Sequence, residues 1–233
     1  MEKTSKRYAE AVKKVDNSKV YTIDDAIKLA KEIKSAKFDE TVDLAFKLGV
    51  DPRHADQMIR GAIALPAGTG KNVRVVVITS GTKITESEAA GADFVGGEDI
   101  INKIAAGWLD FDRVIASPDM MSKLGKVARL LGPRGLMPNP KLGTVTVDVA
   151  SAVKEQKAGK VEYRTEKNGI IHVPIGKSSF TVEQLKQNYS TVLTAIVRAK
   201  PTSAKGTFIK SLTISTTMGP GIKIDAVEAF NSI

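Results

Sequence analysis

Val73-Arg74-Val75-Val76-Val77-Ile78 is an apolar run interrupted only by Arg74. A strand of this composition is covered on both faces, the position of a strand in a parallel sheet sandwiched by helices. The residues that follow agree with it. A helix is expected near Thr85–Ala90, a short strand at Ala92–Val95, a helix near Glu98–Ala106 and a strand at Arg113–Ala116. Ser117-Pro118-Asp119 has the composition of a helix start, with Ser as cap and Pro in the first turn, and Gly132-Pro133 ends that helix. Strands and helices alternating at this spacing predict a Rossmann-like parallel α/β domain over residues 68–159.

The flanking segments carry a different period. Upstream, a polar helical stretch precedes a helix over Asp24–Ser35, which Thr22 can cap and whose positive end Asp24 and Asp25 suit. Val42, Leu44, Phe46, Leu48 and Val50 then alternate with Thr41, Asp43 and Lys47, one buried and one wet face. Downstream, Val161, Tyr163 and Thr165 alternate with Glu162 and Arg164. The turn Glu166-Lys167-Asn168-Gly169 predicts a hairpin whose second strand turns Ile171, Val173 and Ile175 inward and His172 outward. A helix from Val182 to Ala199, capped by Thr181, buries Leu185, Tyr189, Val192 and Ile196. A last strand runs from Thr207 to Met218 and ends at Gly219-Pro220-Gly221. The expected fold is therefore α/β with two domains. Residues 1–67 plus 160–233 form an open α/β sandwich with a split, mostly antiparallel sheet, and residues 68–159 are an inserted three-layer domain.

Composition narrows the function. The chain has 233 residues, 42% of them apolar, enough for a well-buried core. It has no cysteine, which excludes disulfides, thiolate zinc sites and cysteine nucleophiles. No segment approaches the ~20 apolar residues of a membrane span. The charged opening Met1–Arg7 has no signal-peptide core, so a cytoplasmic protein is expected. Net charge is +9, and a basic surface attracts polyanions. Residues 160–233 hold 10 basic and 5 acidic residues, against 13 and 11 in 1–67 and 12 and 10 in 68–159. The excess thus sits in the split domain.

Catalytic motifs fail. Gly68-Thr69-Gly70-Lys71 lacks the first glycine of a phosphate loop, because Leu65 stands there, and Asn72 replaces the Mg²⁺-binding hydroxyl. The stretch reads as a flexible crossing between domains. The two histidines, His54 and His172, lack partners at metal or triad spacing. No enzyme, cofactor or metal is expected. Rival readings are a nucleotide-binding enzyme built on the insert, a protein-interaction scaffold with incidental charge, and a DNA-binding protein.

Ser211, Thr213, Ser215 and Thr217 alternate with apolar Leu212 and Ile214, which puts a row of hydroxyls on one exposed face. Hydroxyls suit phosphate oxygens and the ribose 2′-OH, although threonine also follows from β propensity alone. Arg164 and His172 on the neighbouring hairpin could extend this face. Phe38, beside Lys37, falls in a loop, where it either stacks on a base or folds back onto the core. Gly132–Lys141, with two glycines and three prolines, is a rigid loop that either presents Arg134 and Lys141 or locks a domain in place.

Ala36-Lys37-Phe38-Asp39-Glu40-Thr41, Gly132–Lys141 with Gly143-Thr144-Val145, and Ser215-Thr216-Thr217-Met218-Gly219-Pro220-Gly221 resemble the ribosomal protein L-one family. The resemblance covers nearly the whole chain. It implies a constituent of the large ribosomal subunit whose split domain grips large-subunit rRNA to form the mobile lateral stalk. It implies contact surfaces at Lys37, Phe38, Thr41, Thr217, Met218 and Gly219. It also implies contact with deacylated tRNA leaving the E site, repression of the protein's own operon mRNA, and a single copy in the ribosome. Ser211, Thr213, Ser215, Arg164 and His172 join the expected RNA-binding residues on strand parity.

Overall fold

The computed structural model describes residues 5–226. In chain order the elements begin with α1 (Lys6–Lys14), α2 (Ile23–Glu32), β1 (Thr41–Leu48), β2 (Arg60–Ala64), β3 (Val75–Ile78) and α3 (Lys83–Ala89). Next come β4 (Phe94–Gly96), α4 (Glu98–Ala105), β5 (Arg113–Ala116), α5 (Met121–Leu124), α6 (Ala128–Leu131) and α7 (Val149–Lys157). The chain continues with β6 (Lys160–Arg164), β7 (Ile170–Lys177), α8 (Val182–Arg198), β8 (Ile209–Thr216) and β9 (Ile222–Ile224). Two compact units result. One runs to Gly70 and resumes at Val161, and the other spans Lys71–Lys160.

The first unit is built on an antiparallel sheet of order β7-β1-β8-β9. Period-two alternation buries Val42, Leu44, Phe46 and Leu48 of β1 with Ile171, Val173 and Ile175 of β7 and Leu212 and Ile214 of β8. Ala26, Ile27 and Ala30 of α2 and Leu185, Tyr189, Val192 and Ile196 of α8 complete this core. Each large apolar side chain buried there contributes about 2 kcal/mol. The helices have local reasons to start where they do. Thr22 accepts a hydrogen bond from the Asp25 N–H, and Thr181 with Gln184 forms a reciprocal capping box. Both helices cover one face of the sheet, and no helix of this unit packs on the other among the described residues.

The expected hairpin is not formed. β6 pairs with β2 in a separate two-stranded sheet, while β7 joins β1. The strands part at Thr165, whose buried hydroxyl and N–H both donate to the Ile59 carbonyl. After the turn, Leu48 donates to the Gly169 carbonyl, which starts β7 along β1. Gly61 of β2 has no Cβ because the Tyr163 ring of β6 fills that space. β2 and β9 are additional strands. Tyr21 covers the outer edge of β9 through paired backbone bonds.

In the second unit, β3 lies between β4 and β5 in a parallel sheet, and all four of its residues are buried. Val76 and Ile78 pack with Ile100, Ile101 and Ile104 of α4 and Leu124 and Leu131 beyond. Val75 and Val77 pack with Val149 and Val153 of α7, a helix not expected from the sequence. The helix predicted after Ser117 is broken into α5 and α6 by a 3₁₀ turn at Gly125–Val127, and the Ser117 side chain makes no capping bond. The loop Gly132–Lys141 is locked from within. Asn139 N–H donates to Thr144 Oγ1 at 2.7 Å, Asn139 Oδ1 accepts from the Lys141 N–H, and Gly143 has a left-handed φ of 70°.

The stretch read as a flexible crossing is anchored at its start. Asn188 of α8 is fully buried. Its Oδ1 accepts from the Ala67 N–H at 3.0 Å, and its Nδ2 donates to the carbonyls of Gly68 and Ile175. Leucine at this position would leave three backbone groups without partners. Asn188→Leu is expected to lower the unfolding free energy by about 3 kcal/mol, whereas the exposed neighbour change Gln187→Leu moves it by under about 0.5 kcal/mol. Urea unfolding of the two variants checks the pair.

Candidate nucleic-acid interface

Strand register arranges the open face of the sheet in rows. His172, Ala45, Thr213 and Lys223 form one row across all four strands. Pro174, Asp43 and Ser215 form the next, and Ile170, Lys47 and Ser211 another. Ser211, Thr213 and Ser215 form no side-chain hydrogen bond among the described residues, so their hydroxyls are open to a ligand. Thr217 behaves differently. Its N–H donates to the Thr41 carbonyl, and its Oγ1 accepts from the Thr41 N–H at 3.0 Å. Lys177 Nζ donates to Thr41 Oγ1 at 2.9 Å, so this end of the face is braced.

Two loops stand beyond that end, and two adjacent carboxylates, buried Glu40 and exposed Asp39, hold them. Glu40 is in phase with Val42 and Leu44, so its side chain points to the core, and it is 0% exposed. Its Oε1 accepts from the N–H groups of Ser35 and Ala36, and its Oε2 accepts from the Met218 N–H at 3.0 Å. Burial alone would push this carboxyl up. Backbone hydrogen bonds from Met218, Ala36 and Ser35 outweigh burial and hold it below its ordinary value. The adjacent Asp39 accepts from the Ser179 hydroxyl, the Ser178 hydroxyl and the Ser179 N–H. The Ser179 hydroxyl is the largest influence lowering its pKa, and burial opposes it. The segment 34–41 is thereby fixed to the β7–α8 turn by one carboxylate and to the segment after β8 by the next.

This bracing presents Lys37 and Phe38 to solvent. Phe38 is 53% exposed and Met218 44%, so the ring does not fold back onto the core. Two large apolar side chains thus stand out from loops joined by one carboxylate. Gly219 is required from within, since a Cβ there would lie 2.4 Å from Thr216 Oγ1.

Lys37, Phe38, Thr41, Thr217, Met218 and Gly219 lie in these two loops and at their junction with β1, and His172, Ser211, Thr213 and Ser215 lie on the sheet. His172 is exposed, with Nε2 3.9 Å from Glu166 Oε1. Arg164 does not join them. It lies on β6, in the other sheet, with its guanidinium 3.9 Å from Met58 Sδ. The structure adds Glu40, Asp39, Lys47, Lys177 and Lys223. Parity alone marks Glu40, a carboxylate in the buried phase of a strand, and Lys47 in the outward phase. Lys177 escapes parity because a bulge between Val42 and Asp43 shifts the β7 register. Among the described residues, no group of His, Asp or Glu could hold a metal ion, and no helix is long and apolar enough to cross a membrane.

The family model described as the Ribosomal protein L1p/L10e family matches residues 29–220. The chain belongs to that family. It is therefore a structural constituent of the ribosome that binds rRNA in the large subunit, in a family of structural rather than enzymatic proteins. The matched span of this L1p/L10e-family protein includes both braced loops and all of β1, β7 and β8.

Glu40→Gln replaces one acceptor oxygen by a donor that faces a backbone N–H. It is expected to cost about 2–4 kcal/mol of stability and to weaken rRNA binding. Because the folded pKa of Glu40 lies below the unfolded value near 4.5, its contribution is complete above that value and is lost as pH falls through the folded pKa. Thermal melts from pH 6 to pH 3 should therefore show the wild type losing more stability than Glu40→Gln over the acid arm. Parallel curves would remove Glu40 from this role.

Proposed function

We propose that the open face of the β7-β1-β8-β9 sheet, together with Lys37–Thr41 and Thr217–Gly219, is the surface that grips large-subunit rRNA. The observation that carries this reading is the Glu40 carboxylate, which bonds both loops beside a row of free hydroxyls. A surface braced in this way loses little conformational entropy on binding. Its hydroxyls match ribose and phosphate oxygens, and A-form RNA presents 2′-OH groups in a wide, shallow groove. Lys37, Lys47, Lys177 and Lys223 neutralise phosphates, while Phe38 and Met218 offer apolar contact to an unstacked base or a sugar. The RNA-binding domain in this reading is residues 1–67 plus 160–233, with 68–159 as the insert.

We propose a wider role on the strength of the family resemblance. The rRNA-bound protein forms the mobile lateral stalk, acts as a monomer within a cytoplasmic ribosome, and assists movement and release of deacylated tRNA at the E site. The same surface binds the protein's own operon mRNA, where that mRNA copies the rRNA shape, and so represses its translation. No cofactor takes part.

Binding of a stalk rRNA fragment is measured across a salt series for the wild type, Thr217→Ala and Thr217→Ser. Wild-type affinity should fall with salt, by about one power of salt for each phosphate neutralised. Thr217→Ala should weaken binding about tenfold, with Thr217→Ser restoring most of it. Absence of wild-type binding at low salt overturns the assignment of this surface. Unlabelled operon mRNA should compete with the rRNA fragment, and Thr217→Ala should weaken both alike. Simultaneous binding of the two RNAs would place the mRNA elsewhere.

A further inference from the structure

Asp43 is the one carboxylate among the outward side chains of β1, β7 and β8 among the described residues, and it sits at the centre of that face. Its cross-strand neighbours are Pro174 and Ser215. Pro174 has no N–H to offer, and Ser215 makes no hydrogen bond to it. Among the described residues the Asp43 carboxylate forms neither a hydrogen bond nor an ion pair. Yet it is half-buried, and the shift of register between Val42 and Asp43 marks a bulge beside it. Bulges re-aim side chains and recur next to functional positions. The charged groups that act on Asp43 are His172 and Lys177, which favour its ionised form, while burial, the larger influence, pushes its carboxyl up.

A face that only neutralised phosphates would be weakened by a carboxylate at its centre, because like charges repel. An unpartnered, partly desolvated carboxylate is also unfavourable in the free protein. Both penalties are relieved if the bound RNA brings a donor to this position. Phosphate oxygens cannot serve, since they carry no proton near neutral pH. The ribose 2′-OH and the exocyclic base amines can.

We propose that Asp43 is a specificity-determining residue of the RNA-binding face, accepting a hydrogen bond from a nucleoside donor, either a ribose 2′-OH or an exocyclic base amine. This rests on the reading of the sheet face as the rRNA surface. Asp43 then rejects RNA shapes that bring a phosphate to the same place, and it rejects DNA where the donor is the 2′-OH. Its role is recognition, whereas the surrounding lysines supply sequence-independent affinity.

Asp43→Asn keeps the shape and removes the charge. Its affinity for the stalk rRNA fragment should fall about tenfold to a hundredfold, with an unchanged salt slope and no loss of melting temperature. The fragment is also scanned with single 2′-deoxy substitutions and with base analogues lacking one exocyclic amine, against both proteins. One substitution should cost the wild type as much as Asp43→Asn does and cost the variant nothing further. A deoxy position identifies the ribose as the donor, and an amine-deleted position identifies the base. If the wild type binds the fragment and Asp43→Asn binds as well or better, this proposal fails while the RNA surface stands. Strictly additive losses at every position sink it equally. If the wild type binds no RNA, both readings fall together.

Discussion

A carboxylate taken out of water must find its hydration shell in the protein. Glu40 finds it in three backbone N–H groups from two segments about 180 residues apart in sequence. The interior at this point is not held together by apolar contact alone. It is held by an anion that no cation pairs with among the described residues, so the neighbouring backbone has to converge on it. That convergence fixes the segment before β1 against the segment after β8, and Asp39 ties the first of these to the β7–α8 turn. The loops are ordered because the charge beneath them leaves them little alternative. The exposure of Phe38 and Met218, a cost in an isolated protein, follows from this arrangement.

Much of the fold was legible because two periods are written plainly into the chain. The period of two in 42–48 and 171–175 gave the half-buried sheet, and the unbroken run at 75–78 gave the parallel one. The misreadings have local causes. Tight-turn residues at 166–169 signal reversal of direction, but they do not determine which strand the reversed chain joins. That choice was decided by Thr165 bonding to Ile59 and by Leu48 bonding to Gly169, contacts over long sequence distances. β2 and β9 are short, and α7 has an ambiguous small-residue pattern, so periodicity had little to work with. Ser117 looked like a cap, but its side chain is buried at a strand end.

The interface was legible in part for the same reasons. Strand parity identified the hydroxyls of Ser211, Thr213 and Ser215, because alternation is a property of the backbone. It could not show that Thr217 spends its hydroxyl on Thr41, nor that Gly219 is required by Thr216. Arg164 was misplaced with its strand. Glu40 lay in view, in phase with Val42 and Leu44, but a buried carboxylate makes sense only once its distant donors are known.

The order of the strands has a consequence for biosynthesis. β1, one of the two inner strands of the larger sheet, is made early, yet both of its partners, β7 and β8, are made after the whole of the insert. The insert closes its own parallel sheet with contacts that are all internal to residues 71–160. During vectorial synthesis it can therefore be complete while β1 still waits with both edges unpaired. The larger sheet, the proposed RNA surface, comes into being only when the last fifth of the chain has emerged. A truncated product ending before β8 would contain a finished insert and no finished sheet, so termination short of that strand yields a chain without the proposed RNA surface to compete with the intact protein.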